Sequence, residues 1–157
     1  MAINENSEII GTFTIIERDL DGNIISESRH SNLITTIMKT ALADVLTGDY
    51  DANKHVIGYL AVGTNATAAN AADTALGTQV GANKAPVSGS LNNDTSSVAA
   101  AATFFFDSTE STYYATWAEI GLFAANGTDL LTHAVLDPTK TFNNTKTITV
   151  SYTITFS

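Results

Sequence analysis

Lys146-Thr-Ile-Thr-Val-Ser-Tyr-Thr-Ile-Thr-Phe156 alternates without a break. Ile148, Val150, Tyr152, Ile154 and Phe156 fall on one side, and Thr147, Thr149, Ser151, Thr153 and Thr155 on the other. A pleated backbone sends successive side chains to opposite faces, so this period of two marks a half-buried strand. Its apolar face needs a second layer. The reading that follows is a mainly β chain of α+β class, an antiparallel β-sandwich-like domain with one amphipathic helix and an N-terminal β-ribbon. Because the strand runs to the last residues, the C-terminus is expected to be tied into the sheet.

Upstream, Thr141-Phe142 begins the approach to that strand, and Asp137-Pro138 is expected to break the one before it, Leu130 to Leu136. Asn126-Gly127 supplies a turn. Val98 to Phe106 and Thr112 to Phe123 read as strands, and His55 to Thr64 as another. Residues 81–97 hold a proline and no apolar run, which predicts a long exposed loop with at most a short strand at Lys84 to Val87. Residues 64–80 read as an Ala/Asn/Thr loop. The helix is expected from Leu33 to Thr47, where Leu33, Ile34, Ile37, Met38, Ala41, Leu42, Val45 and Leu46 form one wide apolar face. Ser31 or Asn32 would cap its start and Gly48 its end. Asp21-Gly22-Asn23 between β-rich runs predicts a hairpin over 8–30, preceded by an arm at 1–7. The organisation expected is thus an arm and hairpin over 1–30 and a helix plus β-sandwich over 31–157, one globular domain in all.

The chain has 157 residues, enough for a core without staples, and no cysteine, which excludes disulfides and thiolate metal sites. Hydrophobic residues make up 44% and charged ones only 15%, so Thr, Ser, Asn and Ala must cover the surface. Depleted charge suits large contacts between subunits. A formal net charge of −9 with seven scattered Lys and Arg argues against nucleic acid. No basic-then-apolar leader opens the chain and no apolar run reaches a membrane span, so neither secretion nor a membrane span is expected.

Catalytic and metal motifs are absent. No Gly-x-Ser-x-Gly elbow and no phosphate loop occurs. His30, His55 and His133 stand alone in sequence, and the expectation is core or surface histidines without a metal or cofactor. Asp19-Leu-Asp21-Gly22-Asn23 lacks the remaining ligands of a calcium loop and is better read as a turn. Glu119 is the odd charge: it lies in Trp117-Ala-Glu-Ile-Gly-Leu-Phe123 with apolar residues on both faces, and shares a face with Trp117, Gly121 and Phe123 in a regular strand. A buried carboxylate needs several donors or a cation.

Three strings carry a resemblance. Gly58-Tyr-Leu-Ala-Val-Gly-Thr64, Asp73-Thr-Ala-Leu76 and Trp117 to Phe123 with the Asn126-Gly127 turn occur in the order and spacing of the phage tail-collar fibre family and related small phage virion structural proteins. The resemblance spans about residues 55 to 136. Its structural signature here is Gly58, Leu60, Val62, Gly63, Asp73, Thr74, Leu76, Trp117, Glu119, Gly121 and Phe123. The family usually carries a basic residue after its threonine–alanine–leucine element. Lys84 is the nearest equivalent, so a buried Glu119–Lys84 ion pair is expected, although lysine cannot form the bidentate fork of the usual arginine.

The resemblance implies a non-enzymatic virion protein, assembled in the host cytoplasm, that associates with itself, preferably as a trimer, and with other tail, baseplate or capsid proteins. In the family the receptor-binding part lies downstream of the matching domain. Here Ser157 follows the last strand, which favours an adaptor or covering role. A capsid decoration (cement) protein is the first alternative. A carbohydrate-binding sandwich using Tyr50, Tyr113 or Tyr114 is the second.

Overall fold

The strand read first, β10 (Lys146–Phe156), is the middle member of a five-stranded antiparallel sheet. The computed structural model describes residues 9–94 and 97–156, with side chains over 9–88 and 101–155. The arm expected at 1–7 lies outside the described residues. The remaining elements are β1 (Ile9–Asp19), β2 (Ile24–Ser31), β3 (Leu33–Ile34), α1 (Thr36–Thr47), α2 (Ala52–His55), β4 (Ile57–Gly63), β5 (Gln79–Lys84), β6 (Ser88–Asp94), β7 (Ser97–Phe106), β8 (Ala115–Ala124) and β9 (Leu130–Phe142). Sheet A runs β2-β1-β10-β7-β6 and sheet B runs β3-β9-β8-β4-β5. This is the mainly β, sandwich-like class that the alternation demands.

Between the sheets lies one apolar core. Phe13 and Ile15 of β1, Phe104 and Phe106 of β7, and Ile148, Val150 and Tyr152 of β10 meet Leu60, Val62, Trp117, Ile120 and Leu122 of sheet B, all without exposed surface. β1 is therefore no outlying ribbon. It pairs with β10 along its whole length, from Ile9↔Phe156 to Asp19↔Lys146, because its alternate residues complete the inner face. The expected division at residue 30 has no counterpart in the packing.

Both long edges are closed by chain that changes sheet. β2 passes through Asn32 into β3, and the Asn32 N–H donates to Gly11 O at 3.2 Å. β5 passes through residues 85–87 into β6, and the Val87 N–H donates to Thr103 O at 2.8 Å. The segment expected as a long loop is thus two edge strands. Their Gly, Ser and Asn residues have low strand propensity, and pairing with β4 and β7 overrides it.

α1 begins three residues later than the apolar spacing predicts, because Leu33 and Ile34 pair with His133 and Thr132 of β9. Thr35 is the N-cap, its hydroxyl accepting from the Met38 N–H at 3.3 Å and donating to Leu130 O at 2.7 Å. Gly48 closes the helix at φ 85, as expected. β9 does not stop at Asp137-Pro138. Between Val135 and Lys140 it makes no ladder pairs with β8, so a residue lacking an N–H is tolerated there. Among the described residues, no helix is long and apolar enough to cross a membrane.

Candidate functional site

Two irregularities decide which side chains leave the core. Along β8 the register slips between Trp117 and Glu119, opposite the excursion of β9. A bulge turns the following residues over. Trp117 consequently lies in the main core against Phe106 and Phe142, with its indole N–H on Tyr113 O at 2.9 Å. Glu119, Gly121 and Phe123 occupy the outer face of sheet B, so Trp117 does not share Glu119's face as regular alternation predicts. A second slip, between Leu122 and Phe123, places His133 opposite Gly121, on that same outer face.

The outer face carries rows of Gly63–Glu119, Ala61–Gly121–His133 and Tyr59–Phe123–Leu130. Residues 64–78 fold over it. The base of this loop is pinched by the Thr64 N–H on Thr78 O (2.9 Å), and its middle is tied to α1 by the Thr36 N–H on Ala71 O (2.8 Å). Leu76 drops onto Gly121, where any side chain would meet Leu130, Thr132 O and Leu76. With Ala61, Phe123 and Leu130 it makes a small second core under the loop.

Glu119 is 1% exposed. Its Oε1 accepts the N–H groups of Thr78 (2.8 Å) and Asn65 (3.3 Å), and its Oε2 accepts that of Gly77 (2.9 Å). The fourth partner is His133, whose Nε2 lies 3.0 Å from Oε2. The other ring nitrogen, Nδ1, lies 2.7 Å from Asp73 Oδ2. Both ring nitrogens thus face carboxylate oxygens. Asp73 also accepts the Asn70 N–H at 2.8 Å. That backbone bond and the His133 contact hold its carboxyl below the usual range, against burial. Gly63 leaves the space Glu119 needs, since a Cβ there would collide with Oε1 and with Thr78 O.

Chemically the cluster is a latch. One buried carboxylate satisfies three backbone donors of a loop, and a histidine joins it to a second carboxylate on that loop. The hollow beside it holds about 120 Å³, far below the few hundred Å³ of an ordinary small-molecule site.

Lys84 is not Glu119's partner. Its ammonium pairs with Glu110 and lies 5.3 Å and 5.5 Å from the ring centroids of Phe106 and Tyr113. The position of β5 at the sheet edge carries Lys84 to Glu110, while the His133 ring occupies the place beside Glu119. Of the signature residues, Gly63, Asp73, Leu76, Glu119, Gly121 and Phe123 converge on the latch. Leu60, Val62 and Trp117 belong to the main core. Gly58 is held against the backbone of Ala124 and Ala125, and Thr74 is exposed. His133 is the functional residue that sequence reasoning missed. Counting back from the Asn126-Gly127 turn could have placed it on β9 opposite β8, but only the bulge puts it on Glu119's face.

A second buried charge cluster joins the sheets at one end. Glu17 of β1 meets Lys146 of β10 at 2.9 Å and Lys140 of β9 at 3.4 Å, and Lys140 also bonds Ser26. Burial pushes the Glu17 carboxyl up, but Lys146, Ser26 and Lys140 together bring it below its usual value. The Asp19 carboxylate accepts the Asp21 and Asn23 N–H groups and the Asn23 amide, as a hairpin turn requires. Tyr113 is buried and Tyr114's hydroxyl donates to Ser108 O, while Tyr50 is exposed beside His55. Among the described residues no three His, Asp or Glu side chains are grouped so as to hold a metal ion.

Comparison with protein-family models, with curated proteins and with solved structures finds no match to this chain.

Proposed function

We propose that this chain is a structural component of a phage virion, at a tail, baseplate, collar or fibre-attachment position, working by self-association and by docking on neighbouring virion proteins. One observation carries the reading. The three strings of the resemblance lie far apart in sequence, yet Gly63, Asp73, Leu76, Glu119, Gly121 and Phe123 meet in a single latch. An ordered set of short strings that forms one physical unit is a stronger sign of common descent than strings scattered over a fold. The latch also argues for a structural role over catalysis. Glu119 spends its acceptor sites on backbone donors and His133, and His133 spends both nitrogens on carboxylates, which leaves neither free to move a proton to a substrate.

The experiment is quantitative mass spectrometry of purified particles from a host making this chain. A few to a few tens of copies per particle supports the tail position. Hundreds of copies would move the protein to the capsid, as a cement protein. Absence from the particle overturns the reading.

A further inference from the structure

We propose that the outer face of sheet A is the surface on which a second copy of this chain docks. The inference deepens the self-association in the function proposed above and rests on that reading. The three central strands, β1, β10 and β7, turn Thr14, Ser151 and Thr103 outward in one continuous row, flanked by Ile16, Ile10 and Phe105. Ile10 is 44% and Phe105 36% exposed. Among the described side chains these strands place outward, Arg18 at one end is the one charge, and there is no acid. That is unexpected in a chain with sixteen Asp and Glu and a net charge of −9. On this face the nearest described acid is Glu27 of the neighbouring edge strand β2.

Three arguments choose a second copy as the occupant. Two copies of an acidic chain repel each other wherever acids face outward, so contact is least opposed over the three central strands, whose described outward side chains include none. A hydroxyl both donates and accepts, so a Thr/Ser row is complementary to itself and needs no foreign partner to satisfy it. The area suits a reversible contact. The four strands β2, β1, β10 and β7, about 4.8 Å apart and some eight residues long at about 3.3 Å each, present roughly 500 Å², the size of a weak, reversible contact. β2 adds Glu27 and Arg29 at the flank, one of each sign, for a polar rim.

Sedimentation velocity of the full chain at on the order of 50 µM, comparing wild type with Ser151→Glu, Ser151→Lys and their mixture, tests this. The expected result is an oligomer for wild type, at least a tenfold weaker association for each single variant, and recovery of the oligomer on mixing the two. Circular dichroism should give both variants the wild-type spectrum. A monomeric wild type, or a Ser151→Glu protein with the wild-type mass, overturns the proposal. The second of these leaves the virion reading standing with another contact face, whereas absence of the chain from particles removes that reading.

Discussion

The two sheets share one core but treat their outer faces differently. Sheet B covers its own: residues 64–78 lie across β4, β8 and β9, bury Leu76, and are held by a carboxylate that is 1% exposed. Among the described residues, the central strands of sheet A turn threonine, serine, alanine, isoleucine and Phe105 outward with no loop laid across them. The difference lies in what each face can hold by itself. Two glycines in adjacent rows, Gly63 and Gly121, let backbone and Leu76 approach sheet B closely, whereas sheet A has a side chain at every described outward position of β1 and β10.

The largest expected effect sharpens this contrast within a single strand. Phe13 and Thr14 are neighbours on β1 with opposite directions. Phe13→Ala should cost about 3–5 kcal/mol in urea unfolding, since it empties a fully buried site. It would also establish that β1 belongs to the core and is no detachable arm. Next comes Glu119→Ala, expected to cost about 3 kcal/mol, because three backbone N–H groups and His133 lose their acceptor. Glu119→Gln keeps the shape and one accepting oxygen, and should lose less. A Gln variant as unstable as the Ala variant would mean that charge, not acceptor geometry, dominates the latch.

Acid should loosen the molecule in separable steps. Burial, with the Lys140 charge adding to it, keeps His30 neutral below its ordinary value of 6.5. The unfolded chain then takes up a proton that the fold refuses, so stability falls as pH drops below about 6.5. Asp73 and Glu17 have depressed folded values, so their contribution is present above their unfolded values near 4 and is lost as pH falls through the folded ones. Thermal melts from pH 7 to pH 3 should show both declines. In His30→Gln the first should disappear and the lower one remain. The smallest effect belongs to the open face: Thr14→Ala should change monomer stability by no more than ~0.5 kcal/mol. A larger loss would mean that this face already has a partner within the chain.

Part of this was legible in the sequence. The unbroken alternation of β10 identified the sandwich, and apolar residues on both sides of Glu119 announced a buried carboxylate. Its partner was hidden because two one-sided slips, near Ala118 and near Leu131, reverse the faces of β8 and β9, and alternation counts cannot register an inserted residue. β6 was hidden for a different reason. Ser88-Gly-Ser-Leu-Asn-Asn-Asp94 has no strand signal of its own and becomes one by pairing with β7. The late start of α1 follows from Ile34 being drawn into sheet B, a tertiary pull that outweighs its helical spacing.

Glu119 clamps the loop over sheet B, and amide hydrogen exchange of Gly77 and Thr78 tests this most directly. Both lie in a surface loop where amides ordinarily exchange fast. Both should exchange slowly in the wild-type protein. In Glu119→Ala, measured where it remains folded, both should exchange rapidly while Val150 in β10 stays protected. Rapid exchange at Gly77 and Thr78 in the wild type, or protection that survives loss of the carboxylate, would contradict it.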